Sequence, residues 1–586
     1  MKKNILFYFL ILSQFIVAQT FNWAKNFVTN DEVNSTDMVA DTSGNLYIVG
    51  TFKGIVDFDP GPGTAFLDEL AADKGDIFCI KVNSSGNLVW ARQIGGTNGF
   101  STLDPDYFEP KITIDTGNNI YISGIYVYNI DFDPGASVYL IPLPDTTTTT
   151  TWQFIAKYNS SGNFIWGENM GDVYNVTIQQ LKTDSSNNIY LLGGARNSVD
   201  IDPTSGVYTI GTGNNFRDVY LLKLTTTGNF GWCKQIGNIA VEDYPHDLTI
   251  DLNDNIVITG YFRGTVDFDP STTTEYNLVS NNNSEDAFVA KYNNSGNFIW
   301  AKSFGTPNGY DYGKAITCDG IGNIYVSGIF SGTADFDPSP GTVFNLTPTG
   351  NRSIYVLKLD SNGNFNFVKT IGATDGTFNY SENVFDIVAD DTGNIYFTGN
   401  YITQMDCDPD AGVYTILANG GNDEAFLTSL SSTSGEFRWA KSIGSTKYDY
   451  GKRISIDQAN HKLTLMGTFM MNNVDFNPPN NYLLSASSLT IPNAFLVNYT
   501  YSNLGIENYD ANDKIVIFPN PAENQLFLES KLAIDKIEIY GILGNLIKLK
   551  IDNTNFISVS DLSSGIYFIK ATTADNKILV NRFVKQ

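Results

Sequence analysis

A pattern that recurs about every 70 residues constrains this chain more than any other feature, because self-similarity at a fixed period means one supersecondary unit used again and again. The element Asp-x-Asp-Pro begins at Asp57, Asp131, Asp200, Asp267, Asp335 and Asp406, with an Asn variant beginning at Asp475. The fourth copy is typical: Leu248 to Asp251, Asn255 to Gly260, Val266 to Pro270, Asp286 to Tyr292, Ser295-Gly296-Asn297, then Phe298 to Lys302 with Trp300 inside it. Each copy reads as four strands. The first ends at an Asp before a Gly-Asn or Asn-Asn turn, and the fourth carries a Trp. The turns, such as Thr42-Ser43-Gly44-Asn45 and Ser84-Ser85-Gly86-Asn87, supply the positive-φ positions that tight hairpins need. Four-stranded antiparallel sheets repeated radially make a β-propeller. The period exceeds the ~40–45 residues of a compact blade, which predicts a long insertion after the second strand.

Counting aromatics predicts how such a ring closes. Fourth-strand aromatics are Trp90, Trp166, Trp232, Trp300, Phe367 and Trp439. The seventh repeat has strands around Ile454, Leu463 to Met466 and Phe495 to Tyr499, but no fourth. Phe21-Asn22-Trp23-Ala24-Lys25-Asn26-Phe27 is a fourth strand with no preceding three, and it is expected to complete the seventh sheet and so leave no open edge. Trp152 alone stands outside the pattern. The expectation is an all-β chain: a seven-bladed propeller over 19–500 closed by its N-terminal strand, a linker over 501–514, and a small Ig-like β-sandwich over 515–586.

Composition removes whole classes of function. Lys plus Arg is 36 and Asp plus Glu is 62, a formal charge of −26. Nucleic-acid and anionic-membrane binders need a basic footprint, so neither partner is expected. Four cysteines in 586 residues make no disulfide framework, and Cys79, Cys233, Cys318 and Cys407 fall in different repeats, where small buried residues are the expected reading. A monomer is expected.

The start of the chain, Met1-Lys2-Lys3 followed by apolar Ile5 to Leu12 and by Phe15-Ile16-Val17-Ala18, has the parts of a secretory signal peptide with cleavage after Ala18. The run is shorter than the ~18 unbroken apolar residues of a membrane span, and no later segment is long and apolar enough. At the other end, short apolar runs separated by Gly, Asn and Asp turns read as about seven strands of a sandwich.

Within that tail, Pro519-Asn520-Pro521-Ala522, Ile539-Tyr540 with Gly544, Asp561-Leu562 followed by Gly565-Ile566-Tyr567, and the basic ending at Lys585 resemble the type A C-terminal sorting domain of Bacteroidetes type IX secretion. The resemblance implies passage across the outer membrane by that machinery, then release or attachment at the cell surface. The repeats, with Asp-x-x-Gly-Asn-Ile-Tyr-x-x-Gly and Lys-x-x-x-x-Gly-Asn-x-x-Trp-Ala-Lys, resemble bacterial seven-bladed propeller repeats; Phe367, Asn477 and Asn187 depart from them. That family implies a fold and a surface location, and no agreed reaction.

Chemistry is harder to place. In Asp57 and Asp59, Asp131 and Asp133, Asp200 and Asp202, Asp267 and Asp269, and Asp335 and Asp337, alternation along a strand sets two carboxylates on one face. Such pairs are candidate Ca²⁺ ligands, yet that ion takes ~6–8 oxygens. Repetition in every sheet favours a role in closing the insertion hairpin, and no cofactor is expected. The chain has two histidines: His246 directly precedes a predicted first strand and His461 sits in a turn, neither in a nucleophile motif. Tyr310-Asp311-Tyr312-Gly313-Lys314 and Tyr448-Asp449-Tyr450-Gly451-Lys452 precede first strands on the face of the insertions, where they offer either a binding surface or packing between blades. Three functions stay open: a surface or secreted scaffold that binds glycan or protein, a polysaccharide hydrolase or lyase working with carboxylates, and a structural surface protein. The first is preferred, because no single repeat carries a catalytic-looking departure.

Overall fold

The first hairpin of each sheet shows why the repeated motif has its spacing. Asp41 Oδ1 accepts the backbone N–H groups of Ser43 and Asn45, both at 2.9 Å, and Oδ2 accepts the Asn45 amide at 2.8 Å and the Tyr47 hydroxyl at 3.4 Å. The same set recurs at Asp115 with Asn119 and Tyr121, at Asp184 with Asn188 and Tyr190, and at Asp390 with Asn394 and Tyr396. One carboxylate therefore closes the turn and satisfies a buried tyrosine. Gly44 has φ 74°, and Asn187, the departure from glycine, holds the same left-handed region at φ 65°, which Asn tolerates.

In the computed structural model, the residues described are all except 1–18, 30, 71–74, 97–108, 127–129, 143–150, 212, 214, 238–240, 340, 374–382, 421, 478–481, 487–490, 502–515, 531–533, 541–545, 551–555 and 574–577. The predicted signal peptide with Ala18, most of the predicted linker, and Gly544 lie outside the described residues. The chain forms two compact units, 1–502 and 503–586. Tyr501, read from sequence as the first linker residue, is buried in the first unit, where its hydroxyl donates to Gln458 at 3.3 Å.

Among the described residues the first unit is all-β, with one 3-10 turn at Asn281–Asn283. Its seven main sheets share one order of four strands, and Ile130–Asp131 adds a fifth at the outer edge of the sheet that begins with Val33–Ala40. Their first strands are Val33–Ala40, Lys111–Ile114, Val176–Thr183, Tyr244–Ile250, Tyr312–Cys318, Asn383–Ala389 and Tyr450–Asp457, and sheets one to seven are named in that order. Sheet four continues with Ile256–Phe262, Asp286–Tyr292 and Phe298–Phe304, each antiparallel to the one before. In sheet seven the fourth place is taken by Thr20–Asn26, antiparallel to Asn493–Thr500, with Asn26 opposite Phe495 and Trp23 opposite Asn498. First strands touch in order around the unit, and Val33–Ala40 also touches Tyr450–Asp457.

The fourth-strand aromatics explain how sheets join. Trp90 of sheet one lies over Gly162, in the turn between strands three and four of sheet two, and its indole N–H donates to Ser160 O at 3.3 Å. Trp166 covers Gly228, Trp232 covers Gly296, Trp300 covers Gly363, and Phe367 covers Gly435. Trp23 covers Gly86 of sheet one and donates to Ser84 O at 3.4 Å. The N-terminal strand thus presents to sheet one what the fourth strands of sheets one to five present to their neighbours. Glycine is needed at these turns twice over: φ is positive, and at Gly86 a Cβ would sit 3.1 Å from the indole ring.

The insertion after strand two is a short hairpin, as at Thr265–Asp267 with Asn277–Val279. Its Asp267 also bridges Gly237 at the end of sheet three's fourth strand, and Asp335 and Asp406 bridge Gly305 and Gly372 likewise. In sheet one this partner is again the N-terminal segment, Val28 opposite Asp57.

The second unit holds a three-stranded sheet (Val516–Phe518, Gln525–Glu529, Phe556–Ser558) and a four-stranded one (Leu546–Lys550, Ile534–Tyr540, Gly565–Thr573, Ile578–Lys585). Ile517, Leu526, Leu528 and Ile557 from one sheet meet Ile537, Ile539, Ile569 and Phe583 from the other in a single core.

Candidate functional site

A break in the ladder positions the residues at the centre of the first unit. Sheets one and three to seven each carry a β-bulge in the first strand, between Ser35 and Asp37, Ile178 and Gln180, Pro245 and Asp247, Gly313 and Ala315, Val384 and Asp386, and Gly451 and Arg453. A bulge re-aims side chains that regular pleating would hold to one face. The bulged residues are Thr36, Gln179, His246, Lys314, Phe385 and Lys452. His246 thus lies inside the strand Tyr244–Ile250, a correction to the sequence expectation that it precedes one.

The residue after the bulge ties neighbouring sheets together. Asp37 Oδ2 accepts Ile112 N–H of sheet two at 3.0 Å, Asp247 Oδ2 accepts Ile316 N–H of sheet five at 2.9 Å, and Asp386 Oδ2 accepts Ile454 N–H of sheet seven at 2.7 Å. These strands enclose a polar cavity of about 120 Å³ whose wall includes Lys182, His246, Asp247, Lys314, Asp386 and Arg453. Arg453 donates to Asp37 Oδ1 and to Phe385 O, at 3.0 and 3.1 Å. Burial works against its charge, but Asp37, Asp386 and Glu109 more than offset that and raise its pKa. Glu109 is partly buried, yet Lys452, Lys111 and Arg453 pull its pKa down to about 2. Burial pushes Asp386 up to about 6 despite Arg453.

Between sheets four and five the same end of the unit carries an aromatic cluster that no other joint repeats among the described residues. Tyr244 and Tyr261, paired across two strands, stack with ring centroids 5.8 Å apart and planes at 13°. Tyr312 closes on Tyr261 at 4.9 Å, and the His246 ring lies within about 6 Å of all three tyrosines. Lys314 Nζ is 3.0 Å from His246 Nε2 and 4.8 Å from the Tyr312 ring centre. The Tyr312 hydroxyl donates to Glu285, and Gln179 Nε2 donates to the Tyr244 hydroxyl at 2.6 Å. All three rings are half-buried, and Tyr310 beside them is 60% exposed. In the matching segment of sheet seven, Tyr450 donates to Asp423 at 3.2 Å, but Lys452 goes to Glu109 at 3.1 Å and to Asn34 at 2.7 Å. The sequence singled out both Tyr-Asp-Tyr-Gly-Lys segments; it could not show that only one faces a histidine and a second tyrosine.

The paired aspartates lie on the insertion hairpins. Asp267 Oδ1 accepts the N–H groups of Asp269 and Tyr276, at 3.0 and 2.8 Å, and Asp269 Oδ1 accepts Ser271 N–H at 3.0 Å. Asp57 and Asp59, Asp131 and Asp133, Asp200 and Asp202, and Asp335 and Asp337 do the same in their hairpins. Among the described residues, no group of three or more His, Cys, Asp and Glu is placed to hold a metal ion. Cys79, Cys233 and Cys407 are buried, Cys318 is partly so, and all four are free thiols.

Two further carboxyls sit where strand four of one sheet runs into strand one of the next. Asp311 accepts Thr306 and Ser331 N–H groups at 2.7 and 2.9 Å; Asp449 accepts Ser445 and Met470 N–H groups at 2.6 and 3.0 Å. Burial pushes each up to about 7, with Asp286 and Glu424 adding like charge, and Asp286 itself rises to about 6. An acid whose folded pKa lies above its unfolded value stabilises the fold while protonated, and that contribution is lost as pH rises through the folded pKa. Thermal stability is therefore expected to fall by several degrees between about pH 5 and pH 8. Asp311→Asn with Asp449→Asn should flatten the profile. Equal slopes in wild type and double variant would contradict the assignment.

In the tail, Asn520 accepts Val584 N–H at 2.9 Å and donates to Arg582 O at 3.1 Å, so Pro519-Asn520-Pro521 is fastened to the last strand. Tyr567, two residues beyond Gly565 in the strand Gly565–Thr573, stacks on Phe583 at 5.6 Å.

Residues 516–586 match the family model of the secretion system C-terminal sorting domain. The tail is a type IX sorting domain, and the chain is a secreted or cell-surface protein. No helix among the described residues is long and apolar enough to cross a membrane. An uncharacterized WD repeat-containing protein of Acanthamoeba polyphaga mimivirus is 24% identical over 526 residues, covering 78% of this chain and 36% of that one, so the chain spans about a third of its relative's length. Among solved structures, an ulvan lyase from a new family of polysaccharide lyases superposes with TM-score 0.37 at 12% identity, over 77% of this chain and 93% of that one. A neuraminidase-like protein of A/little yellow-shouldered bat/Guatemala does so with TM-score 0.30 at 7% identity, over 82% and 100%. Superpositions this loose fix no function.

Proposed function

We propose that this chain is a seven-bladed β-propeller, exported by type IX secretion and closed by its own N-terminal strand, that holds a glycan at the aromatic cluster between the fourth and fifth blades. The ring reading is supported by Trp23 taking the seat on sheet one that the fourth-strand aromatics of sheets one to five take on their neighbours, and by the cyclic contact of the first strands. Residues 1–18 would be the signal peptide, 19–501 the propeller, 502–514 a linker and 515–586 the sorting domain of a Bacteroidetes protein. The aspartate pairs act in this reading as hairpin closures, with no cofactor.

The observation that carries the glycan reading is the aromatic cluster between the fourth and fifth blades: Tyr244, Tyr261 and Tyr312 around His246. Half-exposed tyrosine faces stack on the apolar face of a sugar, while their hydroxyls and the nearby amide fix its orientation. The test is a glycan array on the mature full-length chain, followed by titration of the best ligand. Tyr261→Ala is expected to weaken binding by about tenfold or more, as loss of an aromatic anchor does. A folded protein that retains no glycan, or a Tyr261→Ala variant that binds as wild type, would sink the reading and leave a structural or protein-binding role.

A further inference from the structure

We infer that the type IX machinery docks on a row of three phenylalanines, Phe518, Phe527 and Phe556, on the outer face of the tail's three-stranded sheet. The inference rests on the export reading of the tail and is independent of the glycan reading. The strands of that sheet bury alternate residues, Ile517, Leu526, Leu528 and Ile557, in the core between the two sheets. The residues between them face outward, where polar side chains such as Gln525, Glu529 and Ser558 are the usual occupants. The pairing register sets Phe518 opposite Phe527 and Phe527 opposite Phe556, so three rings form one row across three strands. Phe518 stacks on Phe527 with centroids 5.8 Å apart and planes at 17°, and Phe527 meets Phe556 at 6.0 Å. The three rings stay 48%, 40% and 38% exposed. Cross-strand ring contacts add to the stability of the sheet, but an apolar strip left open to water and rimmed by polar residues marks a contact surface.

Two further observations choose the occupant. The residues by which the tail resembles its family are engaged in its own fold. Asn520 is bonded to the last strand through both ends of its amide; the Tyr567 hydroxyl donates to Ser563 O at 2.9 Å, and its ring lies on Phe583. A receptor that reads this fold therefore needs a surface beyond those side chains, and fastening Asn520 fixes the place of Phe518 two residues earlier. Charge points the same way. Residues 516–586 carry eight Lys and Arg against seven Asp and Glu, on a chain of formal charge −26. With almost no net charge of its own, the tail offers little for electrostatic steering, so an apolar contact has to supply the grip. The four-stranded sheet also exposes apolar residues, Leu549 and Phe568 among them, but there Glu538 pairs with Lys536 at 2.8 Å and Lys570 at 3.5 Å and breaks the face with charge. The partner that fits the phenylalanine row is a shallow groove lined by aliphatic or aromatic side chains.

The experiment expresses the full chain in a Bacteroidetes host with a working type IX system, and in a strain of that host without it. The readout is the fraction on the cell surface or in the medium against the fraction held in the periplasm. Phe518→Ser with Phe527→Ser and Phe556→Ser is expected to lower the exported fraction about tenfold or more, as loss of aromatic anchors from an interface does. Leu549→Ser with Phe568→Ser, on the other sheet, should be exported as wild type. Each variant, purified at full length, is first checked for an unchanged unfolding midpoint of the tail. Phe527→Ser alone, which removes the middle ring, takes the place of a triple variant that fails this check. A folded phenylalanine variant exported as wild type would overturn the docking surface and leave the export reading intact, as would an equal loss from the other-sheet variant. If the wild-type chain leaves the strain without the system just as well, the export reading falls and the docking surface with it. A dimer in sedimentation that Phe527→Ser dissociates, with export unchanged, would make a second copy of the chain the occupant instead.

Discussion

A mature chain lacking Thr20–Phe27 is expected to lose the cooperative folding of its first unit. That segment supplies the outer strand of sheet seven through its pairing with Asn493–Thr500. Ala24 and Phe27 are fully buried, Phe27 packs on Phe58 of sheet one at 5.7 Å, and Trp23 covers Gly86. Its removal would strip the joint to sheet one of two aromatics and expose the edge of a strand built as an interior one. Aromatic truncations in cores cost about 3–5 kcal/mol each, so the loss is on the order of 5–10 kcal/mol, comparable to the whole stability of a typical domain. The measurement is calorimetric unfolding of the truncated chain, with a synthetic 19–29 peptide added in a parallel sample. A truncated chain that melts at the wild-type midpoint would mean that the joint between sheets seven and one holds without its last strand. Recovery with the peptide would locate the defect at that joint.

Replacing Arg453 with Met is expected to cost about 3–5 kcal/mol, the range for removing one member of a buried charge network. The methionine fills much of the same volume but leaves Asp37 and Glu109 beside the cavity with less positive charge, and Phe385 O loses its donor. Asp37→Asn in the same chain should return part of the loss, since the uncompensated anion is then gone. The check is denaturant unfolding of both single variants and the double variant. Additive losses would show that Arg453 and Asp37 act independently, contrary to the 3.0 Å contact between them.

The strand plan was legible because it repeats: a turn aspartate, a glycine and an aromatic recur at fixed offsets, and each does the same local job in every sheet. Even the misplaced fourth strand could be read from Trp23, since a lone copy of a repeated segment has to pair somewhere. The bulges were not legible. Whether a strand takes an extra residue at His246 or Lys314 depends on how its neighbours pack, and no local residue preference marks it. That is why His246 was set outside its strand, and why its contact with Lys314, one repeat away, stayed hidden. Aligning the repeats on the turn aspartates Asp251 and Asp319 would have placed the two residues at the same register position, and so pointed to the pair. The hairpin aspartates show the opposite case: chemically suggestive in isolation, each gives its Oδ1 to backbone N–H groups once the hairpin is formed.

Because Trp23, Trp90, Trp166, Trp232 and Trp300 reach out of their own sheets to cover the glycine of the following one, a mutation in one repeat is felt as a defect in the next. Phe367, the one fourth-strand position without a tryptophan, weakens sheet five's grip on Gly435 of sheet six and leaves sheet five's own turn, covered by Trp300, untouched. In such a molecule the change that compensates a substitution is expected one period downstream, and what holds or fails together is the seam between two repeats.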